Sequence, residues 1–238
     1  MANRDKANKI ALEEQFDLGK FTIFADCLNC GTQRCNPAEP EWREGCKCYK
    51  DFITMNITDE HVAFWGGPFS NFYPCKIHVD SDWDEKPVDL TFKSSEQYFM
   101  WQKAMYFGDE ETAEEILKAK TPKEAKALGR QVNGFDEKEW EVAREAAMWN
   151  AVLLKFRQNE DLKKYLTNRL FVFKKFVEGS PVDCIWGVGL RWDDPRIDDE
   201  SNWKGLNLLG KTLNKVQDNI LNEEAKFPDV KEVPEPEA

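Results

Sequence analysis

One helix-forming segment of this chain carries charged residues on a surface with little room for water, and this limits how the chain can fold. Ser94 or Ser95 can cap a helix that runs to about Phe107. Apolar residues surround its axis, namely Tyr98, Phe99, Met100, Trp101, Ala104 and Met105. Glu96 and Lys103 lie on the same helix, two turns apart on one face. Because an unpaired buried charge is costly, the two residues indicate either a partly exposed stripe or a site that uses them.

The pattern of the whole chain predicts an α+β fold, a helix-dominated single domain with a few short β-strands. The sequence is 41% apolar and 13% aromatic, which is enough for a real core. Strands are expected near 62–65, 77–79 and 88–92, with a strand or a helical turn in 170–177 and a strand entering a loop at 184–189. Helices are expected near 110–119, from a capping box at Thr121, and near 136–157, 159–167 and 207–221.

Three zones of the chain differ in composition. Residues 1–53 form a cysteine-rich N-terminal extension that holds five of the seven cysteines. Residues 54–223 are expected to form the compact domain. Residues 224–238 form an acidic tail with three prolines, which we expect to be disordered.

The formal net charge of −11 limits the partners that the chain can bind. Strong binding to nucleic acid of any sequence requires a basic face, although a small basic pocket for one phosphate or diphosphate remains possible. No apolar run approaches the length of a bilayer span, and residues 1–9 are polar. We therefore expect a soluble, cytoplasmic protein without a membrane partner.

The cysteine-rich extension suggests a metal site. Cys27, Cys30, Cys46 and Cys48 form a C-x-x-C and a C-x-C pair that could hold a structural zinc ion, with Cys35 as an alternative ligand. The other interpretation is a reduced or redox-sensitive cysteine loop. Since the chain contains only two histidines, a catalytic zinc centre and a histidine-based triad are disfavoured.

Two further segments carry residues suited to a ligand. Asp183 precedes an apolar run that contains Trp186 and Gly187, and glycine permits close approach of the backbone to a ligand. Lys204 and Asn207 lie at the start of the last helix, whose free N–H groups can hold an anion. Each segment also has a plainer interpretation, a strand-end turn with a core tryptophan for the first and an ordinary asparagine cap for the second.

Several short motifs occur in one collinear order that resembles the YbiA-like family, also called the NADAR domain. They cover about residues 62–221, and their combination is specific although each alone is weak. The motifs are Phe69-Ser70-Asn71-Phe72, Ser94-Ser95-Glu96-Gln97-Tyr98, Gln102-Lys103-Ala104, Thr121-Pro122-Lys123-Glu124-Ala125, Leu128-Gly129-Arg130, Lys155-Phe156-Arg157-Gln158-Asn159, Asp183-Cys184-Ile185-Trp186-Gly187-Val188-Gly189 and Trp203-Lys204-Gly205-Leu206-Asn207-Leu208-Leu209-Gly210.

The resemblance implies an N-glycosidase, a hydrolase that cleaves the bond between a phosphoribose C1 and a guanine-like base. Members of the family are associated with a ribosylamino-pyrimidine phosphate of the riboflavin pathway, and others with ADP-ribose on guanine, including guanine in nucleic acid. The expected partner is thus a small phosphoribosyl or ADP-ribosyl substrate or an ADP-ribosylated nucleic-acid base, with no cofactor for catalysis. The alternatives are a module that binds ADP-ribose or a nucleotide without cleaving it, and an inert interaction protein.

The resemblance also assigns residues. Glu96, Lys103 and Asp183 fall on catalytic positions, where carboxylates can stabilise the positive sugar, activate water or protonate the base. Which carboxylate performs which task stays open, and Lys103 could donate a proton, contact phosphate or form a Schiff base with the opened ribose. The residues expected to bind the substrate are Asn71, Gln97, Arg130, Trp186, Gly187, Lys204 and Asn207.

Overall fold

The computed structural model describes residues 55–81 and 88–226. Six α-helices and five short strands lie in these ranges, which confirms the predicted helix-dominated α+β fold. The strands are β1 (Met55–Ile57), β2 (His61–Phe64), β3 (Ile77–Ser81), β4 (Val88–Phe92) and β5 (Lys175–Glu178). The helices are α1 (Ser95–Tyr106), α2 (Glu110–Lys118), α3 (Pro122–Gly129), α4 (Glu137–Arg157), α5 (Glu160–Leu166) and α6 (Leu208–Lys226).

The strands form two small sheets. In the first, β2 lies between β1, which is antiparallel to it, and β5, which is parallel. Helices α1 to α5 all lie in the connection from β2 to β5, as a parallel pair requires a long crossover. The register of this pair sets Phe64 opposite Glu178, so the strand end that carries Glu178 adjoins the core. The second sheet is the antiparallel pair β3–β4.

Aromatic packing holds the first sheet to the helices. The ring of Phe69 lies 5.6 Å from that of Phe64, 5.1 Å from Phe171 and 4.6 Å from Phe176, between centroids. These distances are in the range that favours tilted and edge-to-face contacts. The cluster fixes β2 and β5 in place and thereby the loop that follows β5.

Helix α1 is buried on nearly every side because α2, α3 and α4 all pack against it. The side chain of Ser94 accepts a hydrogen bond from the Gln97 amide at 3.1 Å and caps the helix, as predicted. Glu96 is only 4% exposed and Lys103 only 9%. The interpretation of these residues as a solvent-facing stripe is therefore wrong.

Other predicted ends are confirmed by their hydrogen bonds. The Thr121 hydroxyl accepts from the Glu124 amide at 3.1 Å, as the N-cap bond of a capping box does. The Glu124 side chain accepts from the Lys120 amide at 2.7 Å, one residue before the amide that a capping box uses. Asn159 lies at the cap position of α5, but its side chain makes no cap bond. It pairs instead with the backbone of Lys76, which ties α5 to the start of β3.

The largest error of the sequence prediction is the strand expected at 184–189. This segment is irregular, because the carbonyls of residues 184–187 accept the amides of residues 206–209 at the start of α6. The apolar run therefore supports a helix end and joins no sheet. Strand β1 was not predicted, and the ambiguous 170–177 segment resolves into turns followed by β5.

The structure bears on the predicted C-terminal tail and on the predicted absence of a membrane span. Helix α6 continues to Lys226, past the predicted end at about residue 221 and into the segment predicted as a disordered tail. The remainder of that tail lies outside the described residues. In the described ranges, no helix is both long and apolar enough to cross a membrane. The cytoplasmic location stays a prediction.

Candidate active site

A cavity of about 370 Å³ opens between α1, α3, the first turns of α4 and the loop after β5. Carboxylates, cations and aromatic rings all contribute to its wall. The lining residues are Glu96, Phe99, Met100, Lys103, Lys126, Gly129, Arg130, Phe135, Glu137, Trp140, Arg144, Asp183, Ile185 and Trp186. Five of the residues predicted for the site thus line one cavity: Glu96, Lys103, Asp183, Arg130 and Trp186.

Glu96 lies in the first turn of α1, and its amide donates to the carbonyl of Asn71 at 3.0 Å. Its buried Oε1 has no hydrogen-bond partner among the described residues, and the nearest cation, Lys126 Nζ, is 3.9 Å away. Burial, with a smaller contribution from the charge of Asp183, raises the pKa of Glu96 to about 7, against the lowering effects of Lys126 and Arg130. The carboxyl group can therefore hold or release a proton near neutral pH.

Asp183 faces the same cavity from the loop after β5. Its Oδ1 accepts the amides of Ile185 at 3.0 Å and Trp186 at 2.8 Å, while its own amide donates to Ser180 Oγ at 3.1 Å. These bonds fix the orientation of the carboxylate and of the Trp186 backbone together. Asp183 is consequently a positioned negative charge beside Glu96.

Lys103 lies two turns beyond Glu96 on the same helix. Its Nζ donates to the Gly129 carbonyl at 2.8 Å and lies 3.7 Å from the centre of the Phe135 ring. Burial lowers the pKa of Lys103, and the charge of Glu137 opposes this shift. A lowered pKa increases the fraction of the amine that is neutral, the form in which lysine acts as a nucleophile.

Three aromatic rings form one side of the cavity. The Phe99 ring lies 5.3 Å from Trp186 at an interplanar angle of 84° and 5.4 Å from Trp140 at 44°. Trp186 is only partly buried, so part of its surface faces the cavity. Such a surface suits the face of a nucleobase.

The other five predicted substrate-binding residues do not line the cavity. Asn71 accepts a bond from the Ser95 hydroxyl at 3.1 Å, and Gln97 accepts from the Lys93 amide and donates to the Ile116 carbonyl, both at 2.8 Å. Both residues hold the beginning of α1 against its neighbours.

Asn207, Gly187 and Lys204 also lie behind or outside the cavity. Asn207 has a positive φ of 53° and joins β5 through the Phe176 carbonyl at 2.9 Å and the Glu178 amide at 3.1 Å. Gly187 is buried, and a Cβ there would approach the Glu178 carbonyl oxygen to 2.8 Å. Its glycine serves the packing of the loop. Lys204 is exposed, and its amide donates to the Val188 carbonyl.

Glu178 is a third carboxylate near the site that the sequence analysis did not find. Its buried Oε2 has no hydrogen-bond partner in the described part of the chain. Burial and then the charge of Asp183 raise the pKa of Glu178 to about 8, with a further contribution from Glu96 and opposition from Lys126. Glu178, Glu96 and Asp183 therefore act on one another electrostatically. The available signal was its position five residues before Asp183, at the end of a strand.

Two basic residues of the wall were also missed. Lys126 pairs loosely with Glu96, and Arg144 interrupts the buried stripe of α4 between Trp140 and Ala147. The signal for Arg144 was its position four residues after Trp140, on the face predicted to be apolar.

The described residues hold no group of three or more histidines, cysteines or acidic residues arranged to bind a metal ion. The predicted zinc ligands Cys27, Cys30, Cys46 and Cys48, with Cys35 as the alternative, lie outside the described residues. That site stays a prediction. Elemental analysis of the purified protein tests it, because a structural zinc ion requires about one equivalent and less than about half would contradict it.

Comparison with known proteins identifies the family of the domain. The NADAR domain model matches residues 63–221, which is well over half of the chain. The chain belongs to the NADAR domain family. The resemblance inferred from the short motifs is thereby confirmed.

Curated NADAR relatives include Protein irg-1 of Caenorhabditis elegans, which is 38% identical over 185 residues that cover 72% of this chain and 84% of that protein. An N-glycosidase of Acanthamoeba polyphaga mimivirus is 34% identical over 171 residues, covering 68% of this chain and 96% of the relative. N-glycosidase YbiA of Escherichia coli is 32% identical over 154 residues, covering 65% and 81%.

The NMR structure of E. coli YbiA supports the fold. It matches with a TM-score of 0.55 and 29% identity, over 74% of this chain and 94% of YbiA. The prediction of a hydrolase acting on N-glycosyl bonds is confirmed at the level of the NADAR family, whose curated members include these N-glycosidases.

Proposed function

We propose that this chain is an N-glycosidase that hydrolyses the bond between a ribose C1 and a nitrogen of a guanine-like base or ribosylamino-pyrimidine. The observation that carries the proposal is the buried carboxyl group of Glu96, whose Oε1 has no hydrogen-bond partner in the described ranges and lines an aromatic-walled cavity. A carboxyl group buried without a partner is costly unless a ligand uses it.

The cavity supplies the groups that this reaction needs. As the C1–N bond breaks, its electron pair leaves with the base and positive charge develops on the sugar, where the Asp183 carboxylate would stabilise it. With its pKa near 7, Glu96 can give its proton to the departing nitrogen. Water then adds to C1 and passes a proton to Asp183, which releases it to solvent as Glu96 is reprotonated.

Lys103 offers a second route through a covalent intermediate. Its neutral amine would attack C1 while the C1–N bond to the base breaks and the base takes up a proton. Opening of the sugar ring would leave an imine on Lys103, and water would hydrolyse it to release ribose and the free amine. The lowered pKa of Lys103 and its place in the cavity support this route.

Two substrate classes fit the proposal equally: a free ribosylamino-pyrimidine phosphate and ADP-ribose attached to guanine, including guanine in nucleic acid. Both would place a flat, nitrogen-rich ring against Trp186 and a phosphate beyond the 5′ carbon. A module that binds without cleavage is less well supported. Carboxylates beside the cavity repel a phosphorylated ligand, so binding alone gives no reason for them to be there, whereas the reaction requires them.

A base-release assay on both substrates tests the proposal. The wild-type protein should release free base from at least one of them, while a folded Lys103→Ala variant should lose most of that rate. Normal turnover by folded Lys103→Ala would remove lysine from the mechanism. Trapping of a substrate adduct with borohydride would separate the imine route from direct attack by water. Release from neither substrate would favour the binding module.

A further inference from the structure

Arg144 is the buried cation of the cavity wall that the mechanism above does not use. It lies on α4, only 7% exposed. Its NH1 is 3.6 Å from Glu137 Oε1, and its NH2 donates to Glu141 Oε1 at 3.1 Å. Its buried Nε has no hydrogen-bond partner among the residues that the structure describes. The guanidinium is therefore only partly satisfied, beside a space that a ligand can enter.

The present partners of Arg144 are held weakly. The side chains of Glu137 and Glu141 are 64% and 63% exposed, whereas that of Arg144 is 8% exposed. Ion pairs with such solvent-exposed carboxylates contribute little to stability. A guanidinium presents a planar fork of donors that matches the oxygens of a phosphate. An incoming phosphate can therefore displace carboxylates that are themselves in contact with water.

A second cation shares this part of the cavity. Glu137 lines the cavity, contacts Arg144 and acts electrostatically on Lys103. Glu137 thus places one negative charge within reach of both cations. An anion that takes its place would be stabilised by both cations.

The end of the cavity that holds Lys103 and Arg144 also lies at a suitable distance from Glu96 for a phosphoribosyl ligand. Glu96 and Lys103 are seven residues apart on α1, which is about 10 Å along the helix axis. That separation can accommodate a pentose and its 5′-phosphate or diphosphate between the two ends. Lys126 and Arg130 act instead on the carboxylate of Glu96 at the opposite end.

We propose that Arg144 forms the subsite for the 5′-phosphate or diphosphate of the substrate, and that Glu137 and Glu141 occupy Arg144 until that group displaces them. Lys103 adds its charge to this subsite where water attacks C1 directly, because an amine that attacks C1 cannot also hold the phosphate. The inference rests on the proposed function in taking a phosphorylated riboside as the ligand. It assigns the phosphate to Arg144, whereas the sequence analysis had pointed to Arg130 and Lys204 as basic residues for the substrate.

Pyrophosphate binding tests the subsite without any turnover. Titration calorimetry on the full chain should show binding to the wild type and a loss of about 10- to 100-fold in Arg144→Gln, the range for charge-assisted bonds. Arg144→Lys, which keeps the charge and loses the fork, should lie between them. Glu141→Gln should bind pyrophosphate a few-fold more tightly, since it removes a competing carboxylate while leaving Arg144 intact.

A second arm uses matched ribosides with a 5′-phosphate or a 5′-hydroxyl. The wild-type preference for the phosphorylated compound should disappear in Arg144→Gln through a higher KM, with kcat nearly unchanged. Arg130→Gln should affect both compounds alike, because Arg130 acts on Glu96.

The outcomes separate the two proposals. A wild type that does not bind pyrophosphate, a Glu141→Gln variant with unchanged or weaker binding, or a phosphate preference retained in Arg144→Gln would overturn the subsite. If no riboside is cleaved but pyrophosphate binding depends on Arg144, the proposed reaction falls and the anion subsite stands.

Discussion

Glu96 and Gln97 are neighbours in the first turn of α1, and both are almost completely buried, yet they belong to different regions of the molecule. Gln97 lies in a polar layer behind the cavity, where its side chain bonds to the Lys93 amide and the Ile116 carbonyl. Glu96 lies in the cavity wall, and its Oε1 finds no partner among the described residues. The same contrast separates Asn207, which bonds to two backbone groups of β5, from Arg144, whose Nε has no hydrogen-bond partner in the described part of the chain.

Hydrogen-bond pairing distinguishes buried polar residues that stabilise the fold from those that bind a ligand. Buried donors and acceptors are nearly always paired in native proteins, so complete pairing with backbone indicates a structural role. Incomplete pairing beside a cavity indicates a group whose partner is the ligand. Burial alone does not make the distinction, since Lys155 is 1% exposed with its pKa lowered to about 8 by burial, and it donates to the Ser70 carbonyl away from the cavity.

Replacement of Glu96 should have the largest effect on activity. Glu96→Gln keeps the shape of the side chain but cannot transfer a proton, so the rate of base release should fall by about 10²- to 10⁴-fold. The variant should also unfold at a slightly higher temperature at pH 8, because a buried charge is removed. Initial rates and thermal unfolding of the same preparation measure both effects. A Glu96→Gln protein with wild-type activity would place the reaction elsewhere.

The neighbouring substitution should have the opposite profile. Gln97→Leu leaves the Lys93 amide without its partner and removes one of the two hydrogen bonds to the Ile116 carbonyl, which the Ala119 amide still reaches. We expect a loss of about 1–3 kcal/mol in the free energy of unfolding. The folded fraction should retain most of its activity per molecule. Denaturant unfolding measures the loss of stability, and the rate of base release divided by the concentration of folded protein measures the activity that remains. If Gln97→Leu lost activity without losing stability, Gln97 would have a role in the active site and not only in the polar layer behind it.

Glu178 should give a smaller effect that depends on pH. Its pKa is about 8 in the folded protein against an ordinary value of 4.5, so the folded state keeps a proton that the unfolded state loses. The free energy of unfolding should therefore fall as pH rises from about 4.5 to about 8. Glu178→Gln should flatten this decline and stabilise the protein at pH 8.5 by on the order of 2 kcal/mol. An unchanged slope between wild type and variant would contradict a protonated, buried Glu178 carboxyl group.

The sequence predicted the helical elements well, because their caps and apolar periodicity are local signals. Ser94, Thr121 and Asp136 all cap the helices that follow them. The segment 184–189 was predicted as a strand because its apolar run and glycines look like one. Its carbonyls instead accept amides from the start of α6. Hydrogen bonds between two loop segments that are distant in sequence leave no local pattern from which they could be predicted.

The candidate site was predictable to the extent that family motifs mark it. Those motifs place Glu96, Lys103, Asp183, Arg130 and Trp186, which the structure brings to one cavity. The motifs do not show that Gln97 and Asn207 lie outside the cavity, because a residue can belong to a family motif for its role in packing as well as for its role in the reaction. Glu178 and Arg144 could not be predicted from the sequence, because what distinguishes them is a buried atom that finds no hydrogen-bond partner among the described residues, and only the tertiary structure reveals it.

The pH dependence of base release distinguishes a proton-donating Glu96 from a Glu96 with only a structural role. Single-turnover rates of the wild type and of Glu96→Gln should be compared from about pH 5 to about pH 9, on whichever substrate is cleaved. In the proposed mechanism Glu96 is the proton donor, and its pKa is about 7. The wild-type rate should therefore fall as pH rises through 7, and the residual rate of Glu96→Gln should lack this transition. A wild-type rate that rises through pH 7, or one that shows the same transition in both proteins, would contradict the account.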